Sequence, residues 1–190
     1  MEIDRAEHIK KLKKRLTEKR FIHSVGVEYT AANLAMVHGA DITKARIAGL
    51  LHDNAKCYST EDKLRKARKH NIEISKSEEE NPDLLHGKLG AYYAKEKFGV
   101  DDKEILDAII YHTTGRPDMT LMDKIIYIAD YIEPNRRMLP ELPEIRKEAF
   151  TDLDKCLVHI LRNILSYLET KDFIVDDLTQ KTYDFYNKNK

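Results

Sequence analysis

Apolar residues recur along this chain at intervals of three and four, the spacing that lines one face of a helix. Residues 4–19 carry Ile9, Leu12 and Leu16 in that register against a basic opposite face, which predicts a first helix. A second is expected from about 21 to 38, with Val27, Leu34 and Val37 or His38 in line. Residues 41–52 open with Asp41, a side chain suited to an N-cap, and continue through Ala45, Ala48 and Leu51. Ser59 or Thr60 can cap a polar helix reaching His70. The segment NIEISKSEEENPD (71–83) is polar, lacks a period and ends in Asn81-Pro82, so it reads as a loop. Helical patterns resume at about 84–98, 101–112 and 119–132, broken by Gly99, by Gly115-Arg116-Pro117 and by Pro134, Pro140 and Pro143. One long pattern from about 144 to 169 holds Ile145, Leu153, Leu157, Ile160, Ile164 and Leu168, and a last amphipathic stretch covers 175–187. Strand alternation is nowhere sustained. The fold class expected is an all-α helical bundle.

Composition narrows the class. The 190 residues fit one domain over 1–190, and 35% charged against 42% apolar residues suits a helix-rich globule. Lys+Arg and Asp+Glu both number 33, so no general affinity for nucleic acid or an anionic membrane is expected. Residues 1–20 are locally basic, with 8 Lys+Arg against 4 Asp+Glu, which reads as a solvated face or as a positive rim that draws in an anionic substrate. No apolar run approaches the roughly 18 residues that cross a bilayer. Two cysteines, Cys57 and Cys156, make no disulfide framework, and reduced thiols in a cytoplasmic protein are the economical reading. Apolar residues on the 144–169 pattern exceed what one helix face needs, which makes a homodimer contact there an expectation.

The chemistry lies in the histidines. Of eight, His8, His38, His70 and His159 carry no pattern and read as structural. His23 falls in the first turn of the second helix on the face of Val27, Ala31 and Leu34. His52 and Asp53 end the third helix in GLLHDNAK, and His112 ends another in DAIIYHTTGRP. Asp130 sits in IIYIADYIEP, an apolar helix that should not carry a carboxylate inward without a partner or a metal. Each closes an apolar stripe, which places them together at one end of the bundle core. Imidazole and carboxylate suit borderline transition metals such as Fe, Mn, Co, Ni or Zn, and the absence of cysteine argues against a structural zinc–thiolate site. An adjacent His-Asp pair diverges by about 100° on a helix, so both can ligate one ion only where the helix ends. The end of LLHDNAK meets that condition.

The ordered set His…His-Asp…His…His…Asp is the signature of the HD-domain metal-dependent phosphohydrolase superfamily. RFIHSVGV (20–27), GLLHDNAK (49–56), LLHGKLGA (84–91), YHTTGRPDMT (111–120) and IYIADYIEPNR (126–136) resemble the motifs of one bacterial branch, the YqeK-type proteins. The motif core runs from about 15 to 137, with C-terminal helices over about 144–187. The resemblance implies symmetrical hydrolysis of diadenosine tetraphosphate to two ADP, with iron as the metal. It implies His23, His52, Asp53 and Asp130 as metal ligands. It also places His86 and His112 in the pocket, where they could hold a second metal, with Asp53 bridging, or bind phosphate directly. Arg20, Asn54, Lys56, Thr113, Arg116 and Arg136 match positions that would line the nucleotide phosphates. Lys56, Arg116 and Arg136 would neutralise phosphate charge, and His86 or His112 would orient the water or the leaving oxygen. Cys57 and Tyr58 depart from the pattern, and Cys57 reads as a small, partly buried filler.

Neighbouring branches fit less well. Alarmone hydrolases follow the His-Asp pair with an acidic pair, where Asn54-Ala55-Lys56 stands here, and the Gly-Tyr-Pro of cyclic-dinucleotide phosphodiesterases does not occur. The alternatives are a hydrolase of nucleotide mono- or triphosphates on the same site, and a nucleotide-sensing or RNA-associated regulator. The complete ligand set argues against the regulator.

Overall fold

The computed structural model describes residues 4–171 and 174–188. Its helices are α1 (Arg5–Lys13), α2 (Glu18–His38), α3 (Ile42–Leu51), α4 (Thr60–Lys69), α5 (Lys76–Glu80), α6 (His86–Phe98), α7 (Lys103–Tyr111), α8 (Leu121–Ile132), α9 (Leu142–Ala149), α10 (Leu153–Thr170) and α11 (Asp177–Lys188). A 3-10 turn over Pro82–Leu85 leads into α6. The all-α expectation holds, and no strand occurs among the described residues.

Three boundaries differ from the sequence reading, each because of a cap. The helix expected over 4–19 stops at Lys13, because Thr17 caps α2 by accepting from the Arg20 backbone N–H. The 71–83 loop contains α5, started by a capping box in which the Ser75 and Glu78 side chains take each other's backbone N–H. The 144–169 pattern is two helices. Asp152 accepts from the Lys155 N–H and begins α10 afresh, while Pro143 lies inside the first turn of α9 rather than breaking it.

That division accounts for the excess apolar residues. Leu142, Ile145 and Ala149 of α9 and Leu153, Leu157, Ile160 and Leu161 of α10 all enter the main core. α10 packs against α8, α9 and α11 together, so much of its wide apolar face is used within the chain, while Tyr167 stays exposed.

α2 lies along α3 over their length, and α7 and α8 close the core around Leu34, Leu51, Ile105, Ile109, Ile125 and Ile128. A smaller cluster of Ala55, Ala67, Leu85, Leu89 and Tyr93 seats α4 and the 3-10 turn against α6. Among the described residues no helix is long and apolar enough to cross a membrane. The ends of α3 and α7 and the start of α6 meet at one end of this core, beside α2 and α8.

Candidate metal centre

Three histidines arrive by the same local device. His52 follows the last residue of α3, and its Nδ1 lies 2.7 Å from the Gly49 carbonyl oxygen. His112 follows the last residue of α7, with Nδ1 2.7 Å from the Ile109 carbonyl. His86 opens α6, with Nδ1 2.5 Å from the Asp83 carbonyl. Each ring reaches back three residues to a carbonyl, and at the α3 and α7 ends these carbonyls belong to the last turn, where helix geometry leaves acceptors free. A carbonyl only accepts, so Nδ1 holds the proton and Nε2 turns a lone pair outward. α6 can come this near α7 because position 87 is glycine: a Cβ there would lie 2.5 Å from the Ile110 carbonyl oxygen.

His23 arrives differently. Its Nδ1 lies 3.0 Å from the Glu133 carboxylate, a residue 110 positions away. With Nδ1 held by an anion, Nε2 faces the cluster, where the protonated ring donates to Asp130 at 2.9 Å. Glu133 is buried, and its other oxygen accepts from the backbone N–H (2.7 Å) and side-chain amide (3.0 Å) of Asn135.

The four Nε2 atoms converge. His86 Nε2 stands 3.0 Å from His112 Nε2, and His52 Nε2 stands 3.3 Å from His23 Nε2. The Nε2 lone pairs of His86 and His112 face one another and repel, so the arrangement calls for a cation between them. The carboxylates complete it. Asp130 Oδ1 is 2.9 Å from His23 Nε2 and 3.7 Å from His52 Nε2. Asp53 spans both pairs, with Oδ2 3.7 Å from His52 and Oδ1 3.5 and 3.6 Å from His86 and His112. Donor atoms of His23, His52 and Asp130 all lie within 4.8 Å of one another, as do those of His52, Asp53 and His112. His52 belongs to both groups. A donor set of neutral imidazole nitrogens and carboxylate oxygens, with no thiolate, fits a divalent transition metal.

Electrostatics prepare the set for a cation. Burial pushes His52 down to about 4 and His86 well below its ordinary value, so both rings are neutral ligands at neutral pH. Burial alone would raise the two aspartates. For Asp53 the neighbouring His52, His112 and His86 outweigh it and hold the carboxyl well below the usual range. For Asp130 the hydrogen bond from His23 does the same, aided by His52 and Arg136. His23 is raised despite its burial, because it faces both Asp130 and Glu133.

These side chains, the fully buried His52 apart, floor a cleft of about 990 Å³. Arg20, Lys56, Thr113 and Arg136 also line it, together with Lys19 and Arg137, which the sequence reading did not single out. Arg20 reaches Asp53 at 3.3 Å, and Arg136 grips Asp130 at 2.6 Å. Thr113 Oγ1 is 3.0 Å from His86 Nε2. Burial lowers the Lys56 ammonium from its ordinary value.

Two expected phosphate ligands stand elsewhere. The Asn54 amide is fully buried and donates to the Leu51 and Gly90 carbonyls at 2.8 Å each, tying the end of α3 to α6. Arg116 is committed to Asp123 at 2.7 Å and Asp107 at 3.4 Å, beneath the capping box that starts α8. Cys57 is exposed rather than partly buried, and its sulfur meets the Asn54 carbonyl and the Arg15 guanidinium, away from the ligands.

The remaining histidines have structural partners. His8 and His38 bond the Phe98 and Ala149 carbonyls, His70 stacks on Tyr92, and His159 pairs with Glu148 and Glu141. Glu133 is the residue that sequence reasoning missed. Its signal was available: it follows Asp130 by three in IYIADYIEP, on the same inward face.

Comparison with known proteins agrees with this geometry. The HD-domain profile matches residues 20–135, the span that holds all six ligand-type side chains. The chain belongs to the HD-domain family. Over 183 residues, 96% of this chain and 97% of the relative, it is 43% identical to the "Bis(5'-nucleosyl)-tetraphosphatase, symmetrical" of Bacillus subtilis (strain 168). A protein of the same description from Staphylococcus aureus (strain NCTC 8325 / PS 47) is 37% identical over 98% of this chain and 95% of its own. Among solved structures, a predicted HD superfamily hydrolase involved in NAD metabolism from Clostridium acetobutylicum superposes with a TM-score of 0.95 at 39% identity, covering 98% of each chain.

Proposed function

We propose that this protein is a metal-dependent phosphohydrolase that cleaves diadenosine tetraphosphate symmetrically. Water adds to the second phosphorus from one nucleoside, the bridge to the third phosphate breaks, and two ADP leave. The observation that carries the reading is a cluster of six ligand-type side chains, five of them lining one cleft, in a chain similar over nearly its whole length to symmetrical tetraphosphatases. His23, His52, Asp53 and Asp130 hold the metal in this reading, with His86 and His112 available to a second ion or to the phosphate. Iron is the metal we favour, with Mn, Co, Ni or Zn as substitutes of similar ligand preference. A bound transition metal supplies Lewis-acid activation of water and charge for a phosphoryl oxygen.

The chain supplies the rest. Arg20 and Arg136 each spend part of the guanidinium on a ligand carboxylate and keep further N–H donors for phosphate oxygens. Lys56 lies in the cleft wall 4.0 Å from Asp83, near enough to Asp53 to feel its charge, and adds a cation where equatorial oxygens gather charge. The Nε2 atoms of His86 and His112 are acceptors, so these rings can take a proton from the attacking water and cannot donate one from that nitrogen. The leaving group is a phosphate anion of low basicity, which lessens the need for a general acid. We place the reaction in the cytoplasm, in keeping with two cysteines that stay unpaired.

Product analysis tests the reading. Metal-loaded protein under anaerobic Fe(II) is incubated with diadenosine tetraphosphate, and AMP, ADP and ATP are resolved by chromatography. ADP as the only nucleotide product is expected. AMP with ATP would keep the hydrolase and overturn the symmetry; no product with metal bound would overturn the activity.

A further inference from the structure

Behind one wall of the metal cleft, two lysines flank a single aspartate. The side chain of Lys63, on α4, is 3% exposed, and an ammonium so deeply buried is costly unless paired. Its partner is Asp83, with Nζ 2.6 Å from Oδ1. Asp83 itself stands 55% exposed in the 3-10 turn that leads into α6. The other carboxylate oxygen, Oδ2, lies 4.0 Å from the Lys56 ammonium, beyond hydrogen-bond reach. Among the described residues Lys56 lines the metal cleft, and Asp83 and Lys63 do not.

Local structure holds this trio in place. The Ser59 side chain caps α4 by accepting from the Asp62 N–H. Leu64 and Ala67, next along α4, pack with Leu85 in the smaller apolar cluster, which seats Lys63 beneath the turn that carries Asp83. The Asp83 backbone is tied down separately, because its carbonyl accepts from His86 Nδ1. Partial burial works to raise the Asp83 carboxyl, but the hydrogen bond from Lys63 and the charge of Lys56 outweigh it and hold the group below its ordinary value, as an anion. One negative charge thus stands between two positive ones, and its hydrogen bond is spent on the lysine that faces away from the cleft.

We propose that Lys63 is a positioning residue: by engaging the Asp83 carboxylate it leaves the Lys56 ammonium free to bind a phosphate oxygen in the metal cleft. With Lys63 in place the aspartate is already neutralised, and the trio keeps a net positive charge for the cleft. Without Lys63, the carboxylate would turn to Lys56 and hold it as a closed ion pair, in competition with phosphate. More than half exposed, that carboxylate has room to turn. This role for Lys63 rests on the reading of Lys56 as a phosphate contact in the proposed hydrolase, and its consequence for binding needs no turnover.

Calorimetric titration of the metal-loaded protein with pyrophosphate reads the contact. Lys56→Ala should weaken binding about tenfold, the worth of a hydrogen bond to a charged group. Lys63→Met keeps the length of the side chain and removes its charge, and should weaken binding about threefold to tenfold with metal content unchanged. Adding Asp83→Asn, which preserves the carbonyl that His86 uses, should restore affinity to within about twofold of wild type. In a Lys56→Ala background, Lys63→Met should cost nothing further. A role confined to packing predicts neither the rescue nor the vanished effect. Wild-type affinity in Lys63→Met, or a loss that Asp83→Asn leaves in place, would overturn the proposal. So would wild-type affinity in Lys56→Ala, or a metal-loaded wild type that binds no pyrophosphate, because Lys63 would then have nothing to position. If Lys63→Met does not fold, Lys63→Gln takes its place in the same comparisons. If the wild-type protein cleaves no diadenosine tetraphosphate, the hydrolase reading fails, and the pyrophosphate affinities still decide the role of Lys63.

Discussion

The two halves of the metal centre are built by opposite means. His52, His86 and His112 are each fixed by a carbonyl three residues upstream, a device contained in one turn of chain. His23 and Asp130 are fixed from the turn after α8. Glu133 takes His23 and Arg136 takes Asp130, so residues 133–136 clamp both ligands of that half. The local half is positioned by helix ends and will keep its geometry as long as α3, α6 and α7 pack. The clamped half depends on a buried carboxylate with its own supports, and a carboxylate behind a ligating histidine also makes that ring a stronger donor. His52, with Asp53 at its side, joins the halves.

The largest effect should come from breaking the joint. Asp53→Ala removes the carboxylate that faces His52, His86 and His112 together, and is expected to lose metal and to cut turnover by roughly 10²–10⁴-fold while helicity survives. Elemental analysis, circular dichroism and rate measured on one preparation check this; a variant with wild-type metal and rate would remove Asp53 from the site.

A smaller and one-sided effect should follow from the clamp. Glu133→Gln keeps the shape but not the charge, and is expected to weaken metal affinity by about tenfold to a hundredfold. Gly26→Ala should do the same without touching any ligand, because a Cβ at position 26 would collide with the Glu133 carboxylate. The pair separates the clamp from simple charge: if Gly26→Ala binds metal as the wild type does, the placement of Glu133 is not what matters.

Arg116 and Lys56 sharpen the boundary of the site. Lys56→Ala should retain metal and lower kcat roughly tenfold or more, since it removes a cation from the cleft wall. Arg116→Ala should leave kcat near wild type and cost about 2–3 kcal/mol of stability, because it strands the buried Asp123 carboxylate. Urea unfolding set against steady-state kinetics distinguishes the two behaviours.

Acid should divide the halves most gently. In metal-free protein His52 and His86 are depressed, so between about pH 6.5 and 4 the unfolded chain binds protons that the fold does not. Stability then falls as pH falls through that window. For His52 alone the loss is on the order of 3 kcal/mol by pH 4. His23 is raised and works in the opposite sense: its contribution is present below its unfolded value and is lost as pH rises through the folded one. The net expectation is a metal-free protein that weakens from about pH 6.5 toward pH 4, and a His23→Gln variant that has the same slope there but lacks the gain in stability the wild type shows as pH falls through the folded value of His23.

Much of this was legible in the sequence, and the reason is the same asymmetry. Ligands that close an apolar stripe announce themselves by period, as His52, His112 and Asp130 do. The helices were legible too, except where a single cap decided the matter. Thr17, Ser75 and Asp152 each start a helix inside a stretch whose periodicity or polarity suggests otherwise. What stayed hidden depends on contacts across the fold. Asn54 and Arg116 sit in motifs beside true ligands, yet one staples α3 to α6 and the other neutralises the start of α8. Glu133 has the right face but needs His23, far back in the chain, to give it a purpose. A cavity beside the metal cleft, with Tyr127, Leu142 and Ile164 in its wall, is assembled from α8, α9 and α10, which no local pattern brings together.

The most direct test of a centre with two joined halves is metal retained per chain after gel filtration, compared across single histidine variants. His52 alone belongs to both ligand groups. Wild-type protein should retain metal, His52→Ala should retain none, and His23→Ala and His112→Ala should each be less damaging than His52→Ala. Wild-type metal content in folded His52→Ala would contradict the account.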